Sequence, residues 1–457
     1  MVSRGDLRSV HGEPRIALHP PTQTPQDVQA RHLDADTVDT YLELDAGGGV
    51  TVYVGKVELG TGISTALAQI VADELDVPLD RVRMVQGDTA MTPDQGVTAG
   101  SKSLQVAGPL LQQAAAEARR VLLERASERL GVPVERLRVV DGVISARDDD
   151  RRCVGYGALA GAPFRRPVRG DAPVKPPGER QIIGRSVARR DLLAKVTGGE
   201  AFVQDVRLPG MLHGRVVRPR RRTREGIGAT VRAVDERTLQ GIPGIVAVVR
   251  KGDFVGVVAE REEQAIAAAQ ALRVTWSGPP ELPDPEGVWD ELRAAPAETR
   301  EIVREGDVDG ALASAAVTHV ATYRQPWQAH ASLGPSCAGA DVRENGATIY
   351  ASSQGIHGLA RALAPLLGLA PERVRVIFRE GAGCYGHNGA DDVAADAALL
   401  SQAVGRPVRV QWMRQDEFAW EPKGPAMLSE VRAGLGADRT IVAWDYQVWT
   451  PTHTTRP

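Results

Sequence analysis

The chain has 457 residues, 42% of them hydrophobic and 25% charged, so it exceeds one ordinary domain and has the composition of a globular protein with roughly two to four domains. Its net charge of −3 provides no field that would attract nucleic acid or an anionic membrane. We therefore expect no nucleic-acid partner. No apolar run approaches the roughly 18 residues of a membrane span, so we expect no transmembrane helix.

The N-terminus carries charge but lacks the apolar core and cleavage site of a secretory signal, which predicts a cytoplasmic protein. Two proline-rich stretches, 161–180 and 277–287, lack hydrophobic periodicity and indicate linkers. They divide the chain into three blocks, and the predicted boundaries are 1–165, a linker at 166–180, 181–285, and 286–457.

The first block opens with a predicted hairpin around Gly47–Gly49, followed by "GKVELGTGISTALAQIVADEL" (55–75). This stretch predicts a strand end, a glycine turn and an amphipathic helix. Exposed amides at a helix N-terminus bind phosphate-like anions, so Gly60, Thr61 and Gly62 form the first candidate turn. Taken alone, a capped helix without a ligand explains the turn equally well.

A phrase made of a helix end, a proline turn and an alternating strand occurs three times, at 74–87, 129–142 and 366–381. The spacing is uneven, which argues against a solenoid. We therefore predict helices packed on sheets, with each copy feeding one strand into a sheet.

The second candidate turn, "GVTAGSKSLQVAG" (96–108), precedes a long helix. Small hydroxyl residues in a glycine-rich turn can surround a ligand that accepts many hydrogen bonds, although an ordinary loop has the same composition. Its candidate residues are Thr98, Gly100, Ser101 and Ser103.

The second block contains short apolar strands at 211–218, 245–250 and 254–260 and one helix, predicted over 262–276, which together indicate a compact α+β domain. The third block returns to strand and helix alternation. Its last strand, apolar and aromatic, runs to the C-terminus without a capping segment, so we expect a truncated chain.

The third candidate turn is the GxGxxG of Gly381, Gly383 and Gly386, which follows the strand "RVRVIF" and precedes a helix. This context is typical of a dinucleotide fingerprint, so an NAD-dependent dehydrogenase is one alternative. The fingerprint places its ribose-binding acid about 20 residues further on. In this chain Asp391, Asp392 and Asp396 lie closer to the glycines than that, and Asp416 lies further away.

The three cysteines, Cys153, Cys337 and Cys384, are too dispersed for a disulfide scaffold, an iron–sulfur cluster or a cysteine-rich zinc site. The histidines are dispersed too, and the sequence contains no HExxH. Spacing therefore predicts no metal ligands in this chain.

Taken together, these segments resemble the molybdopterin-binding subunits of the xanthine dehydrogenase and aldehyde oxidase superfamily, in particular its isoquinoline 1-oxidoreductase and nicotinate dehydrogenase branch. The resemblance extends over nearly the whole chain beyond about residue 38. The phrases that carry it are "KVELGTGISTALAQIVADELDVPLDRVRMVQGDT" (56–89), "TAGSKS" (98–103), "DLLAKVTGGEAFVQDVRLPGMLHGRVVRP" (191–219), "QAHASLGPSCAGADV" (328–342), "ASSQGIHG" (351–358) and "GAGCYGHNG" (381–389).

The resemblance implies an α+β fold in which a molybdenum-cofactor-binding domain, in two segments, flanks an α/β-hammerhead domain at 181–285. It places Gln354 opposite the molybdenum's oxo ligand and Tyr385 and Gly386 beside the metal. The cofactor-binding residues that it implies are Gly60, Thr61, Gly62, Thr98, Gly100, Ser101, Ser103, Gln354, Gly383, Tyr385 and Gly386.

The activity implied by the resemblance is oxidation of an N-heteroaromatic compound with water-derived oxygen. The cofactor would be molybdenum–molybdopterin, in its cytosine dinucleotide form, and electrons would pass to a separate [2Fe-2S] subunit. An aldehyde oxidoreductase subunit and an inactive truncated fragment are the alternatives. The chain departs from the family at Thr61, where glutamine is common, and no residue matches the family's catalytic glutamate: Glu58, Glu421 and Glu430 are available carboxylates, and none is assigned this role.

Overall fold

The computed structural model describes residues 36–219, 229–277, 286–389 and 392–451. The helices are α1 (Val38–Tyr41), α2 (Ile63–Leu75), α3 (Gly108–Leu130), α4 (Leu192–Val196), α5 (Glu262–Ala271), α6 (Val288–Ala294), α7 (Val308–Ser314), α8 (Ile356–Leu367), α9 (Asp392–Val404) and α10 (Arg414–Trp420). The mixed helix and strand content confirms the α+β class. Within the described ranges, no helix combines the length and the apolar character that crossing a membrane requires.

The strands form five sheets. In chain order they are β1 (Leu42–Leu44), β2 (Val50–Val54), β3 (Val82–Gln86), β4 (Leu137–Val140), β5 (Val143–Ala146), β6 (Asp149–Gly155), β7 (Leu212–Val216), β8 (Val231–Asp235), β9 (Ile245–Lys251), β10 (Phe254–Ala259), β11 (Arg273–Trp276), β12 (Val317–Gln325), β13 (Cys337–Arg343), β14 (Gly346–Ala351), β15 (Val374–Phe378), β16 (Val408–Gln411), β17 (Met427–Leu435) and β18 (Ile441–Trp449).

The first block builds one core from two small sheets and two helices. β1 and β2 form the predicted antiparallel hairpin, and β3 adds in parallel to β2. The apolar stripe of α2 is buried through Leu67, Val71 and Leu75, and it packs in the same cluster as α3. A helical period of 3.6 residues places such a stripe on one face, which explains why the sequence predicted this helix well.

The repeated phrase has the same structure in all three copies. α2, α3 and α8 each end at a residue in the left-handed conformation, namely Asp76, Gly131 and Gly368. A short 3₁₀ turn follows, and then β3, β4 or β15. The three strands enter three different sheets, which confirms the prediction of helices layered on sheets.

A seven-stranded sheet, in the order β15-β14-β13-β16-β7-β10-β9, joins the second and third blocks. β16 pairs in parallel with β7 across the two blocks. Alternate residues of β10 face opposite sides, since Val257 packs with α5 and Val258 packs with the cluster that contains α8 and α9. The two blocks therefore share one continuous backbone hydrogen-bond network.

The first block also attaches to this sheet, at the outer side of β15. Phe378 N–H donates to Gly87 O at 2.7 Å, and Thr89 N–H donates to Val376 O at 3.0 Å. Between them Asp88 accepts two hydrogen bonds from Arg375, at 3.0 and 2.6 Å, and both residues are buried. This connection holds the first two candidate turns beside the third.

Two segments differ from their predicted form. The predicted helix over 262–276 ends at Ala271, and its last four residues are β11, paired with β8. A β-branched and aromatic end favours a strand once a partner is present. The segment 166–180 is packed rather than free, since Val168 and Lys175 are buried and Lys175 Nζ donates to Asp73 O at 2.6 Å.

Candidate functional site

The backbone amides of the first candidate turn bind a carboxylate of the same chain, that of Glu58. Glu58 is 5% exposed. Its carboxylate accepts from Gly60 N–H at 2.8 Å, Gly62 N–H at 2.9 Å and Ser64 N–H at 3.0 Å. The positive end of α2 thus stabilises an internal carboxylate. These amides are therefore occupied, and any ligand at this turn would meet Thr61, which is exposed, rather than them.

The second turn is joined directly to the glutamine that the sequence singled out. Thr98 N–H donates to Gln354 O at 2.8 Å, and Gln354 Nε2 donates back to Thr98 O at 2.8 Å. The Thr98 hydroxyl accepts from Val57 N–H at 3.0 Å, which ties the turn to the strand end before the first turn. Thr98 and Gln354 are both buried, so their conformations are fixed by the surrounding backbone.

The third turn completes the contact from the other side. Cys384 Sγ donates to Gln354 Oε1 at 3.3 Å, and Gln354 N–H donates to Asn388 O at 2.9 Å. Gly386 has a φ of +96°, where a side chain would be strained, and Tyr385 adopts a φ of +57° with 66% of the residue exposed. Gln354 therefore lies between the second and third turns, with both ends of its amide engaged.

A partly buried ionic network lies between the first and third turns. A β-carbon built on Gly60 would lie 3.8 Å from Glu380 Oε1. Lys195 Nζ donates to Glu380 at 2.6 Å and also contacts Asp191, and Arg189 donates to Gly60 O at 2.7 Å. The sequence does not indicate this network, because Lys195 and Glu380 are 185 residues apart.

Burial and pairing shift the pKa values in this network in opposite directions. Burial raises the pKa of Glu380, although its hydrogen bond with Lys195 opposes the change. Burial would also raise the pKa of Asp191, but hydrogen bonds from Arg189 and Lys195 outweigh it and lower that pKa to about 2. The same contacts raise the pKa of Lys195 against the effect of burial. Lys195 is therefore a fixed positive charge between the two turns.

Three hydroxyls of the turns are available to a ligand, of which those of Thr61 and Ser101 are exposed and that of Ser103 is half-buried. In the described residues, the side chains of Thr61, Ser101 and Ser103 have no hydrogen-bond partner. Ser101 holds a φ of +56°, next to Gly100 at +63°. The structure thus brings all three turns together, but only Thr98, Gln354 and the Cys384 loop are in direct mutual contact.

The geometry of the third turn does not favour the dinucleotide alternative. Gly383 N–H donates to Gly381 O at 2.8 Å, which makes a tight local turn, and a 3₁₀ turn at His387–Gly389 follows Gly386. The described part of α9 begins only at Asp392, whereas the fingerprint starts its helix within the glycine turn. Asp391 lies outside the described residues.

The available carboxylates fall in three separate environments. Glu58 is committed to the first turn, and Glu430 is on β17, paired with Arg293 at the surface. Glu421 is buried at the end of α10, near the third turn. The contacts of Glu58 and Glu430 therefore give neither residue the role of a catalytic base.

Two family models match the chain, and both are described as molybdopterin cofactor-binding domains; they cover residues 21–175 and 293–453. A nicotinate dehydrogenase subunit of Pseudomonas putida is 45% identical over 90% of this chain and 35% of its own length. The membrane-bound pyrroloquinoline-quinone aldehyde dehydrogenase of Gluconacetobacter polyoxogenes is 29% identical over 88% of this chain and 53% of its own length. The beta chain of isoquinoline 1-oxidoreductase of Brevundimonas diminuta is 26% identical over 91% of this chain and 59% of its own length.

The chain thus spans between 35% and 59% of the length of these three relatives. The two matched segments account for most of the chain and contain all three candidate turns. The chain belongs to the molybdopterin-binding proteins of the xanthine dehydrogenase and aldehyde oxidase family.

Proposed function

We propose that this chain is the molybdopterin-binding part of a molybdenum hydroxylase that oxidises an N-heteroaromatic compound with oxygen from water. The observation that carries the proposal is the position of Gln354, whose amide is held by the second and third turns at once. Family membership supports the cofactor, and the names of two relatives, nicotinate dehydrogenase and isoquinoline 1-oxidoreductase, support the substrate class.

The residues present fit such a cofactor in part. The second turn offers an exposed hydroxyl at Ser101 and a half-buried one at Ser103, and a β-carbon built on Gly96 would meet no atom within 4 Å, so a ligand can approach this backbone closely. The first turn fits less well because Glu58 already occupies its amides. We therefore assign phosphate or pterin contacts mainly to the second turn. In the first turn only Thr61 is assigned a contact with the cofactor.

Gln354 has one further donor to offer. Its Nε2 carries two hydrogens, and one is used by Thr98 O. The other has no partner in the described parts of the chain, and the contact from Cys384 to Oε1 fixes the plane of the amide. When bound, the molybdenum cofactor would supply the two-electron oxidation of an electron-poor carbon, and Gln354 would donate a hydrogen bond from a preorganised position.

The electrons need an acceptor beyond these 457 residues. A [2Fe-2S] cluster takes four protein ligands, usually cysteines, and this chain has three cysteines in total, two of them buried. We propose a separate [2Fe-2S] subunit as the acceptor, the cytosine dinucleotide form of the cofactor, and a cytoplasmic location for the complex. If the chain alone transferred electrons to a physiological acceptor, the proposal of a [2Fe-2S] partner subunit would be wrong.

The experiment compares two glutamines. Gln354→Ala and Gln402→Ala each remove an amide that donates to a backbone carbonyl at 2.8 Å, but Gln402 binds Leu367 O, at the end of α8. In the complex purified from co-expression with neighbouring subunits, we expect Gln354→Ala to retain molybdenum and lower turnover of an N-heteroaromatic substrate by about 100-fold. Gln402→Ala should leave turnover unchanged. Equal turnover in both variants would show that Gln354 has no role at the reacting site.

Two alternatives have distinct outcomes in the same assay. The aldehyde dehydrogenase among the relatives favours an aldehyde oxidoreductase, which would oxidise aldehydes in preference to N-heteroaromatics. An inactive fragment would bind molybdenum without turnover of either substrate class.

A further inference from the structure

Three buried side chains meet beside the third turn. His387 follows that turn, Glu417 lies on α10, and Glu421 ends the same helix. One nitrogen or oxygen atom from each lies within 4.8 Å of the others, and no member is more than 3% exposed. Because the two glutamates are four residues apart on α10, they lie on one face of it.

Glu417 is held in place by one neighbour. Its Oε2 accepts from Ser336 N–H at 2.8 Å, and its Oε1 accepts from the Ser336 hydroxyl at 3.1 Å. His387 Nδ1 lies 3.6 Å from Glu417 Oε1, which is too far for a hydrogen bond. The imidazole and this carboxylate thus face each other without bonding.

Glu421 has an oxygen that accepts no hydrogen bond from the described residues. Its Oε2 accepts from Ala331 N–H at 3.1 Å, while its Oε1 is buried and accepts no hydrogen bond. Lys423 Nζ is 3.6 Å from that oxygen, but it donates to Phe418 O at 2.7 Å. Glu421 also offers one carboxylate oxygen to the group of three atoms that could ligate one ion.

The charges of the cluster call for a cation. Two carboxylates are fully buried, and burying a carboxylate is costly unless a close positive charge or full hydrogen bonding compensates. Lys423 is a quarter exposed and lies beyond hydrogen-bond distance of Glu421. His330 is nearby, with its ring centroid 5.8 Å from that of His387, and its Nδ1 is 2.9 Å from Pro422 O.

We propose that His387, Glu417 and Glu421 bind a divalent cation, with Zn²⁺ as the best match. Imidazole nitrogen and carboxylate oxygen are ordinary zinc ligands at about 2.0–2.2 Å, which separates neighbouring ligand atoms by about 3.4 Å. The His387–Glu417 distance of 3.6 Å already fits this separation. The widest separation in the cluster, 4.8 Å at most, would close by no more than about 1.4 Å.

The ion would link the third turn to α10. His387 follows the loop that contains Cys384 and precedes Asn388, whose carbonyl accepts from Gln354 N–H. A cation here would fix that loop independently of molybdenum, so the site goes beyond the proposed function and does not rest on it.

The test is zinc binding by the full chain purified without molybdenum. After treatment with a chelator, the chain should take up one Zn²⁺ per molecule in competition with a chromophoric chelator, and its Tm should rise by several degrees. Glu421→Gln and His387→Asn should abolish both effects, whereas the surface variant Glu430→Gln should retain them. Metal-free Glu421→Gln should unfold at no lower temperature than the metal-free wild type, because it removes a buried charge that Lys423 approaches only to 3.6 Å, while keeping the shape.

Two results would overturn the site. One is an absence of stoichiometric binding by the wild type, which would leave an internal charge cluster without a bound ion. The other is equal binding by Glu421→Gln and Glu430→Gln. Zinc X-ray absorption on the wild type gives an answer even where a variant misfolds: a shell of nitrogen and oxygen supports the site, and a sulfur ligand would assign the ion to Cys384 instead.

Discussion

Breaking the ion pair between Asp88 and Arg375 should loosen the attachment of the first block to the seven-stranded sheet. The exposed fractions of the two side chains are 1% and 7%, and Arg375 donates from both Nε and a terminal nitrogen. Removing one partner of such a pair leaves a buried charge uncompensated, which costs about 3–5 kcal/mol. For a chain of this length unfolding as one unit, that corresponds to a fall in Tm of about 3–5 °C.

The variants are Arg375→Met and a matched control at the surface. Arg361 and Asp94 join the same two parts of the chain at 2.9 Å, but their exposed fractions are 65% and 40%, so Arg361→Met should cost no more than about 1 kcal/mol. Differential scanning calorimetry measures both. The double variant Asp88→Leu/Arg375→Met should recover much of the loss, because it removes both charges. A fall of less than about 1 °C for Arg375→Met, or an equal fall for the two single variants, would refute the reasoning.

Three further predictions concern stability. Glu58→Gln should destabilise the chain by about 2 kcal/mol, because both carboxylate oxygens accept from backbone N–H groups of the first turn and the amide would place an NH2 group where one of them lies. A shift of the urea midpoint would measure this loss. Gly157→Ala should cost at least about 1–3 kcal/mol in the same titration, since its β-carbon would lie 2.2 Å from Ala46 O. Burial lowers the pKa values of His213 and His357 in the folded chain below the ordinary value of 6.5. Below pH 6.5 the unfolded chain therefore binds more protons than the folded chain. The stability that is present above pH 6.5 should be lost as the pH falls through the lowered pKa values of the folded chain. Urea titrations at pH 7.5 and 5.5 should show this loss, and a His213→Gln/His357→Gln variant should show less of it.

Local patterns in the sequence predicted most of the elements. The apolar stripe through Leu67 and Val71 predicted α2, and the proline turns predicted where three strands begin, because both signals depend on neighbours within a few residues. The strand over Arg273–Trp276 was read as helix because its pairing partner, β8, lies far away in sequence. The shared seven-stranded sheet escaped prediction for the same reason.

The sequence singled out residues of the candidate site that the structure brings into contact, but it did not indicate the charges that occupy the first turn. The resemblance singled out Thr98 and Gln354, and the structure joins them by two hydrogen bonds. In contrast, Glu58 reads in sequence as an ordinary strand-end residue. Only the folded turn shows that its carboxylate takes the amides that an external phosphate would need.

The segment that runs along the outer side of β15 has a consequence for solubility. An uncovered edge strand offers a row of unpaired N–H and C=O groups to any other extended chain, which makes it a starting point for aggregation. The stretch from Gly87 to Thr89 caps those groups on β15, and Asp88 buries a charge there that a foreign strand could not match. A chain that lost this cover during synthesis or heating would expose the strand "VRVIF" to self-association, so the same contact that aligns the turns also protects the sheet from polymerising.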